Sequence, residues 1–462
     1  MTLSRTLVRQ LRAAAACPLP AGVAAAARLH LLDAIGVGLA ASAGAVGAPY
    51  RRFAADVARG GPASVFGQEH GAAAADAALV NGGLIHSLEY DDTHAGSIVH
   101  GSAVLAAAAL AAAEAAGASG PVLLGAYARG WEVLVRIGLA APGGFQARGF
   151  QVTSVGGSLV AALVAAELGA LDEDATVAAL GIALSQASGV FEFLTNGSSV
   201  KSLHPGWAAH AGLIAARLAA GGMTGPETAL DGRFGLFAAF AGEADAPARL
   251  RAQLADFGER WHLLDAAYKF FPCCHYIHPF IEAAEVLLER GVRAPSVTRL
   301  LCRVPAGAAP IICEPWAAKL DPPTPHAARW SLPAVLAARL VDGPIELATF
   351  EQPLRPAARD FAGRIAWEAL DGASFPRAFE AELVCTLHDG RIETVRIADV
   401  YGNAARPARA EEVRTKFRRN AARALPEATA QGIEEAVDAL DGVRSPEALS
   451  AALRMARQGG VG

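Results

Sequence analysis

The fold of this 462-residue chain is decided at residues 379–397, which have the sequence FEAELVCTLHDGRIETVRI. Apolar and polar residues alternate in Phe379–Leu387 and in Arg391–Ile397, and this period of two is typical of half-buried strands. The tripeptide His388-Asp389-Gly390 lies between the two runs, and Asp-Gly between alternating runs is a strong hairpin signal. The sequence therefore predicts an antiparallel β-hairpin at this position.

The pattern around this hairpin changes in both directions along the chain. Val297–Val304 predicts another strand, and a helix is expected near Ala327–Leu340, where Pro333 limits or kinks it. On either side of this region Ala, Leu and Val recur at helical spacing in long windows. We therefore predict a mostly α fold. An all-helical domain is built from both chain ends, residues 1–266 and 406–462, with a smaller inserted α+β domain at residues 267–405.

Composition excludes several classes of protein. The hydrophobic fraction is 53% and the charged fraction 18%, so the chain can bury a sizeable core. A net charge of −5 and a pI near 6.2 argue against a nucleic-acid partner, which needs a basic face. No signal peptide is evident, and the Ala-rich apolar runs are shorter than the roughly 20 residues of a membrane span. We therefore expect a cytoplasmic enzyme with reduced cysteines and no membrane partner.

Lysine is rare in this chain. Of the forty Lys and Arg residues, only four are lysine: Lys201, Lys269, Lys319 and Lys416. Lys can lose its proton and acts as a compact point charge, whereas Arg stays protonated. Each retained Lys is therefore a candidate for a role that Arg cannot fill, with chance as the alternative.

The densest polar stretch runs from His86 to His100 in an otherwise apolar region. It contains three carboxylates, three histidines and several hydroxyls, including Glu89, Asp91, Asp92, His86, His94, His100, Thr93 and Ser97. Surface loops are usually polar, but they rarely concentrate His and Asp in this way. The stretch predicts a functional site, with a capped surface loop as the alternative.

Four polar segments lie just before predicted helices, and three of them carry a Lys or His. These segments are His100-Gly101-Ser102, Gln151–Ser154, Lys201–Pro205 and Lys269–Pro272, the last leading to a helix with His275 and His278. Helix N-termini offer unpaired N–H groups and a positive dipole end, which suit an anion. If the four ends converge, they form a platform for a carboxylate. For His94, His204 and His278, capping or packing is the alternative role.

Other known motifs are absent or weak. The chain has no GxGxxG opening a βαβ unit, no P-loop and no GxSxG elbow. Cys273, Cys274 and the histidines after them match no common zinc spacing. Asp91, Asp92 and their neighbouring histidines are a more plausible ligand set for a divalent ion. A metal-dependent hydrolase built on this cluster is therefore the competing class of enzyme.

Several ordered segments together resemble the signature of the MmgE/PrpD family. They are Asn81–His86, Glu89–His94, His100-Gly101-Ser102, Arg148–Gln151, Lys201–His204, Lys269–Cys274, Glu314-Pro315-Trp316 and Ser331-Leu332-Pro333. The resemblance implies a helical domain from both chain ends, a smaller α+β lid domain, a homodimer, and no metal or organic cofactor. Characterised members include 2-methylcitrate dehydratase, cis-aconitate decarboxylase and iminodisuccinate epimerase, which act beside a carboxylate of a small polycarboxylic acid.

The resemblance also implies site residues. It places Thr93, His100, Lys201 and Lys269 on positions that line the family's active site. Glu89 stands where an Asp is usual, and Gln151 stands where characterised decarboxylases and epimerases have a His. Gln cannot exchange a proton near neutral pH, which argues against a mechanism that relies on that His. Cys274 fills the position of a second family His, and His275 lies one residue beyond it.

These residues predict a lyase or isomerase that removes a proton α to a carboxylate. That proton is weakly acidic, so the site needs a base and cations that hold the developing charge. The predicted cations are Lys201 and Lys269, either of which is a candidate base if its pKa is lowered, and His100 is the predicted proton-transfer residue. Asp91 and Asp92 are expected to orient His and Lys side chains. The predicted substrate-binding residues are Glu89, Thr93, Gln151, His204, His275 and His278.

Dehydration of a small di- or tricarboxylic acid is the first expectation for the reaction. Epimerisation, isomerisation and decarboxylation of a related acid are the alternatives. Because Gln151 departs from the family pattern, a protein that binds a carboxylate without turning it over is the alternative outside enzymes.

Overall fold

The structure is a computed structural model that describes residues 1–454. These residues are mainly helical with one four-stranded sheet, so the predicted fold class is confirmed. The predicted C-terminal helical segment continues to residue 462, and its part after residue 454 lies outside the described residues.

The helices and strands have the following bounds. The α-helices are α1 Leu3–Ala15, α2 Ala21–Ala43, α3 Ala48–Val57, α4 Ala74–His86, α5 Gly101–Ala116, α6 Gly120–Ala140, α7 Gly144–Ala147, α8 Val152–Leu168, α9 Glu173–Leu184, α10 Leu203–Ala220, α11 Ala246–Gln253, α12 His278–Glu289, α13 Ala309–Ile312, α14 Trp316–Leu320, α15 Pro325–Ala328, α16 Leu332–Val341, α17 Pro356–Ala362, α18 Ala410–Ala421, α19 Glu427–Asp438 and α20 Glu447–Leu453. The strands are β1 Val297–Val304, β2 Ile365–Ala369, β3 Ala381–Leu387 and β4 Ile392–Ile397.

Two apolar cores hold the chain together. The larger one joins helices from the first half of the chain to α18, α19 and α20, so that Leu7 and Ile433 are buried in the same cluster. The smaller one joins α12, α16, α17 and the sheet, with Phe280, Leu336 and Leu383 fully buried. Burial of apolar surface is the main favourable term in folding, so each core defines one structural unit. We call them the helical body and the α+β unit; the boundaries at residues 267 and 405 stay a prediction.

Helix α18 brings the C-terminal part of the chain back to α2. A Cβ atom on Gly36 would lie 2.9 Å from Cδ2 of Phe417, so this close approach of the two helices needs a glycine. On the same face Lys416 forms a buried ion pair with Asp33, with 2.8 Å between Nζ and Oδ1. The C-terminal helices are therefore part of the helical body.

The sheet has the order β2-β1-β3-β4, with β1 parallel to β2 and antiparallel to β3. The predicted hairpin is confirmed, because β3 pairs with β4 in antiparallel register from Ala381↔Ile397 to Thr386↔Ile392. Gly390 in its turn has φ of +84°, a conformation that favours glycine. Strand β1 has the predicted bounds, whereas β2 was not predicted because its five residues, IAWEA, are too short to show a period.

The helix expected near Ala327–Leu340 differs from the prediction. Helix α16 begins only at Leu332, after Ser331, whose Oγ accepts a hydrogen bond from Ala334 N at 3.1 Å. Pro333 lies in the first turn, where its missing N–H leaves no intrahelical bond unmade, so it does not kink the helix. The residues just before it form the separate short helix α15.

Helix α2 corrects one expectation about apolar runs. By length and composition it is apolar enough to cross a membrane, contrary to the expectation that all such runs are too short. In the fold 72% of its most apolar window is buried, which is the pattern of a core helix.

The close crossing of α4 and α10 generates a stability prediction. A Cβ on Gly206 would lie 2.2 Å from the carbonyl oxygen of Leu79, so the backbone must move to accept it. We expect Gly206→Ala to lower the free energy of unfolding by about 1–3 kcal/mol. Gly432 in α19 has nothing within 4 Å of such a Cβ, and Gly432→Ala should raise stability by roughly 0.5–1 kcal/mol. Denaturant unfolding measures both variants, and equal effects would contradict this helix crossing.

Candidate active site

A pocket that is partly open to solvent lies between the helical body and the α+β unit. Seven of the predicted site residues line it: Glu89, Thr93, His100, Gln151, Lys201, Lys269 and His275. The first three come from the connection between α4 and α5, and the next two directly precede α8 and α10. Lys269 lies in irregular chain, and His275 begins a 3₁₀ turn, His275–Ile277, that leads into α12. The three residues expected to share a cleft, His100, Lys201 and Lys269, therefore do so.

A buried charge cluster forms one part of the pocket. Nζ of Lys201 is hydrogen-bonded to Oε1 of Glu89, and Nζ of Lys269 lies 3.6 Å from Oε2 of the same carboxylate. Burial alone would raise the pKa of Glu89, but the charges of Lys201 and Lys269 outweigh it and hold that pKa well below its usual range. Burial also lowers the pKa of Lys269, but Glu89 and Asp91 outweigh it and raise that pKa. Lys269 therefore stays protonated, and the alternative of Lys269 as a base with a lowered pKa is wrong.

His100 stands against a buried carboxylate. Oδ2 of Asp91 lies 3.3 Å from Nδ1 of His100 and accepts a hydrogen bond from Nδ1 of His86 at 2.7 Å. Burial lowers the pKa of His100 to about 4, although the charge of Asp91 opposes this shift. His100 is therefore neutral at pH 7 and able to accept a proton. Asp91 lies behind it, where a carboxylate orients the ring and stabilises its protonated form.

Gln151 connects two histidines at the pocket wall. Its Oε1 accepts a hydrogen bond from Nδ1 of His204 at 2.6 Å, and its Nε2 lies 3.5 Å from Nε2 of His86. Because His86 donates its other ring N–H to Asp91, the chain of contacts runs from His204 to the carboxylate behind His100. Gln151 therefore helps to fix which ring nitrogens of His204 and His86 donate and which accept. As an amide it does not titrate.

Thr93 and His275 form a contact between the two units. Thr93 Oγ1 lies 2.6 Å from Nδ1 of His275, and Thr93 exchanges two backbone hydrogen bonds with Ala267. Burial, reinforced by the charges of His278 and Lys269, holds the pKa of His275 well below its usual range. Its Nε2 is buried and has no hydrogen-bond partner among the described residues. His275 thus contributes a neutral imidazole to the lining of the pocket.

Asp92 orients a histidine, as predicted, but neither Asp92 nor that histidine is among the residues that line the pocket. Its Oδ1 accepts a hydrogen bond from Ser102 N at 3.1 Å, and its Oδ2 lies 2.7 Å from Nδ1 of His30. The side chain therefore caps α5 and orients His30, which does not line the pocket. Because the Asp92 carboxylate already occupies the N-terminal end of α5, that helix end does not receive a substrate carboxylate. The predicted anion platform is wrong at this helix.

His204 and His278 are not among the residues that line the pocket, which argues against direct contact of either with substrate. His204 lies in the first turn of α10 and donates its hydrogen bond to Gln151. His278 is fully buried at the start of α12, with its ring centroid 4.7 Å from that of His275. A 3₁₀ turn, His275–Ile277, leads into α12, so Lys269 lies in irregular chain. The prediction that Lys269 directly precedes a helix is therefore wrong.

The apolar wall of the pocket was not predicted. Its members come from widely separated segments and include Ile98, Phe191, Phe193, Leu194, Ile311, Trp330 and Phe379. No local pattern distinguishes such residues from core residues, so sequence alone carries no signal for them. His94 and Cys274 also line the pocket, and burial raises the pKa of the Cys274 thiol, which stays protonated.

Two groups of described residues bring His and carboxylate donor atoms within 4.8 Å of one another. They are His86, Asp91 and His100, and His94, His262 and Asp265. In the first group Asp91 is hydrogen-bonded to His86, so a metal ion would have to replace that bond. Asp92, which the metal hydrolase hypothesis also needed, caps α5 instead.

The pocket combines buried cations with neutral histidines and lies between a helical body and an α+β unit. The chain belongs to the MmgE/PrpD family. The family's N-terminal domain matches residues 5–248, and its C-terminal domain matches residues 271–442.

Individual relatives are similar over most of their length. The chain is 29% identical to human cis-aconitate decarboxylase over 391 residues, 82% of this chain and 79% of the relative. It is 29% identical to the cis-aconitate decarboxylase-like protein oryM of Aspergillus oryzae over 452 residues, 92% and 91% of the two chains. A cis-aconitate decarboxylase of Aspergillus terreus is 26% identical over 403 residues, 81% and 80% of the two chains.

The neutral histidines of the site generate a pH prediction. Burial lowers the pKa values of His94, His100 and His204 to about 4 in the folded protein, whereas unfolded His titrates near 6.5. Between these values the unfolded chain binds more protons, so stability is lost as the pH falls from about 6.5 to about 4. Burial raises the pKa of Asp33 to about 6, so this carboxyl group binds a proton more readily in the folded protein. It therefore offsets the effect of one of the histidines.

Denaturant unfolding measured from pH 7 to pH 4 checks the sign of this dependence. His204→Gln should reduce the slope by about one proton, because Gln keeps a donor toward Gln151 but does not titrate. A free energy of unfolding that stays constant over this range would contradict the assignment of neutral buried histidines.

Proposed function

We propose that this protein is a lyase that acts on a small di- or tricarboxylic acid by moving a proton at the carbon next to a carboxylate. The observation that supports this most is that His100, neutral and backed by Asp91, shares one pocket with Lys201 and Lys269. Membership of the MmgE/PrpD family and relatives named cis-aconitate decarboxylases support the class of substrate.

The proposed reaction begins with proton removal. His100 accepts the proton from the carbon, and the C–H electron pair moves into the adjacent carboxyl group. Asp91 stabilises the imidazolium that forms, and Lys201 and Lys269 stabilise the added negative charge in a site of low dielectric constant. The electron pair then returns to form a C=C bond as hydroxide leaves the neighbouring carbon. The proton held on His100 goes to that hydroxide, so that water is the second product.

The charges of the pocket limit how the substrate binds. Lys201 and Lys269 are paired with one carboxylate, Glu89, and the lining histidines are neutral. Among the residues that line the pocket one positive charge is therefore unbalanced, and the carboxylate of Asp91 lies behind them against His100. A substrate carboxylate that approaches Lys201 shares this ammonium with Glu89. Thr93, Gln151 and the free nitrogen of His275 supply neutral hydrogen bonds for the rest of the substrate.

Dehydration is our first candidate, and decarboxylation is the second. Gln151 favours dehydration, because it replaces the His that the family resemblance assigns to decarboxylases and its amide is already held by His204. The names of the relatives favour decarboxylation. Both reactions use the same proton-transfer residue and cations, and they differ in which bond breaks after the proton has moved.

We further propose that the enzyme works in the cytoplasm as a homodimer, without a metal or an organic cofactor, as the family resemblance implies. Light scattering on the purified protein measures the oligomeric state, and elemental analysis measures the metal content. Stoichiometric metal whose removal abolishes activity would instead support a hydrolase that uses His86, Asp91 and His100.

Kinetics of three variants test the assigned roles on an identified substrate. We expect His100→Ala and Lys201→Ala to lower kcat by about two orders of magnitude or more, because each removes a group that acts in the chemical step. Gln151→Ala should cost binding more than chemistry, roughly 1–2 kcal/mol for lost hydrogen bonds. If Gln151→Ala abolishes turnover while the other two variants stay near wild type, the roles are wrong. If all three leave turnover unchanged, the active site lies elsewhere.

The products distinguish the candidate reactions. Di- and tricarboxylates that raise the melting temperature are incubated with enzyme in D₂O and followed by proton NMR. We expect an alkene and loss of the hydroxyl-bearing carbon signal without CO₂ release, because Gln151 replaces the decarboxylases' His. Release of CO₂ would replace dehydration by decarboxylation. Deuterium uptake without elimination would indicate an epimerase or isomerase, and binding without any reaction would contradict an enzyme.

A further inference from the structure

Three consecutive backbone carbonyls at the site each accept a hydrogen bond from a cationic side chain. Nη1 of Arg329 donates to the carbonyl oxygen of Leu88 at 2.8 Å. Nζ of Lys269 donates to that of Glu89 at 3.1 Å, and Nζ of Lys416 to that of Tyr90 at 2.9 Å. The three cations are buried, and they come from three distant parts of the chain.

The segment held in this way has a strained backbone. Glu89 has φ of +53°, which is uncommon for a residue other than glycine and persists only where the surroundings enforce it. This conformation directs the side chain of Glu89 to Lys201 and Lys269, while the next carboxylate, Asp91, faces His86 and His100. A relaxed backbone at Glu89 would change the direction of its carboxylate.

Arg329 and Lys416 each connect this segment to another part of the fold. Arg329, which lies just before α16, also donates to the carbonyl oxygen of Pro272 at 2.7 Å, three residues after Lys269. Lys416 on α18 also donates to Oδ2 of Asp33 on α2 at 2.9 Å. The first bond fixes the segment to the α+β unit, and the second fixes it to the helical body. Neither Arg329 nor Lys416 lines the pocket, so their hydrogen bonds reach the site through the backbone carbonyls of Leu88 and Tyr90.

We infer that Arg329 and Lys416 are positioning residues, which hold Leu88–Tyr90 so that the carboxylate of Glu89 stays between Lys201 and Lys269. Their effect on turnover rests on the function proposed above, whereas their effect on the geometry of the charge cluster does not. By this inference Lys416 does more than stabilise the fold. It also fixes the position of the Glu89 carboxylate, which is the counter-ion of Lys201 and Lys269.

Lysine-specific NMR tests the geometry without any substrate. The chain has only four lysines, so ¹³C-labelling of the ε-carbon gives four signals, and Lys201→Arg and Lys269→Arg assign two of them. We expect Lys416→Met and Arg329→Met to move the Lys201 and Lys269 signals toward that of exposed lysine, because both ammonium groups lose the fixed Glu89 carboxylate. Lys416→Arg, which keeps the positive charge and hydrogen-bond donors, should move them less than Lys416→Met does.

Arg136→Met is the matched control. Arg136 is as buried as Arg329 and also donates to backbone carbonyls, those of Gln253 and Arg260, but it does not line or adjoin the pocket. Its loss should lower stability and leave the Lys201 and Lys269 signals unchanged. If Lys416→Met does not fold because Asp33 is left unpaired, Asp33→Asn combined with Lys416→Met provides the same test.

Turnover supplies an independent readout. On an identified substrate we expect kcat to fall about tenfold to a hundredfold in Lys416→Met and Arg329→Met, with a smaller change in KM, as for a misplaced reacting group. Unchanged Lys201 and Lys269 signals in the folded variants would overturn the inference while leaving the proposed function intact. Moved signals in a protein that turns over no polycarboxylate would support the inference and contradict the proposed function.

Discussion

The ionised carboxylate of Glu89 between the ammonium groups of Lys201 and Lys269 is the constraint on which the rest of the site depends. Glu89 is only 3% exposed and Lys269 fully buried, so these charges have left most of their hydration behind. Removing an ion from water costs several kcal/mol, which only well-placed opposite charges and hydrogen bonds offset. The backbone around Glu89 is held by further buried hydrogen-bond donors. A small displacement of this backbone would weaken the ion pairs of Glu89 and lower the stability of the site.

The histidines of the site, in contrast to Glu89 and Lys269, are buried in their uncharged form. Each of His100, His204 and His275 is buried near fixed positive charge, so each favours its neutral form. Neutral imidazoles accept and donate hydrogen bonds at the same time, which allows the ordered contacts from His204 through Gln151 to Asp91. The pocket thus combines permanent cations with uncharged groups that can take up a proton, and this pairing is what proton removal next to a carboxylate requires.

The pocket also depends on the joint between the helical body and the α+β unit. Thr93 from the body contacts His275, and its backbone pairs with Ala267 just before Lys269. The ammonium group of Lys269 is therefore placed by chain segments of both units. A displacement of one unit relative to the other would therefore change the distance between Lys269 and Glu89.

The sequence by itself determined those features that depend on local pattern. Alternation on both sides of Asp389-Gly390 predicted the hairpin, because strand period and turn chemistry are local properties. The concentration of His and Asp at residues 86–100, the scarcity of lysine and the resemblance to the MmgE/PrpD family together indicated most of the polar residues that line the pocket, but none of its apolar wall. The same local logic missed β2, whose five residues are too few to show a period.

Only the tertiary structure decided how these residues are used. Asp91 and Asp92 are adjacent and chemically identical, yet one stands behind His100 and the other caps α5, because their side chains leave the backbone toward different neighbours. The apolar wall, the neutral state of the histidines and the raised pKa of Lys269 likewise depend on burial and on charges distant in sequence. Burial and electrostatic fields are sums over residues that only the folded chain brings together, so no local pattern contains them.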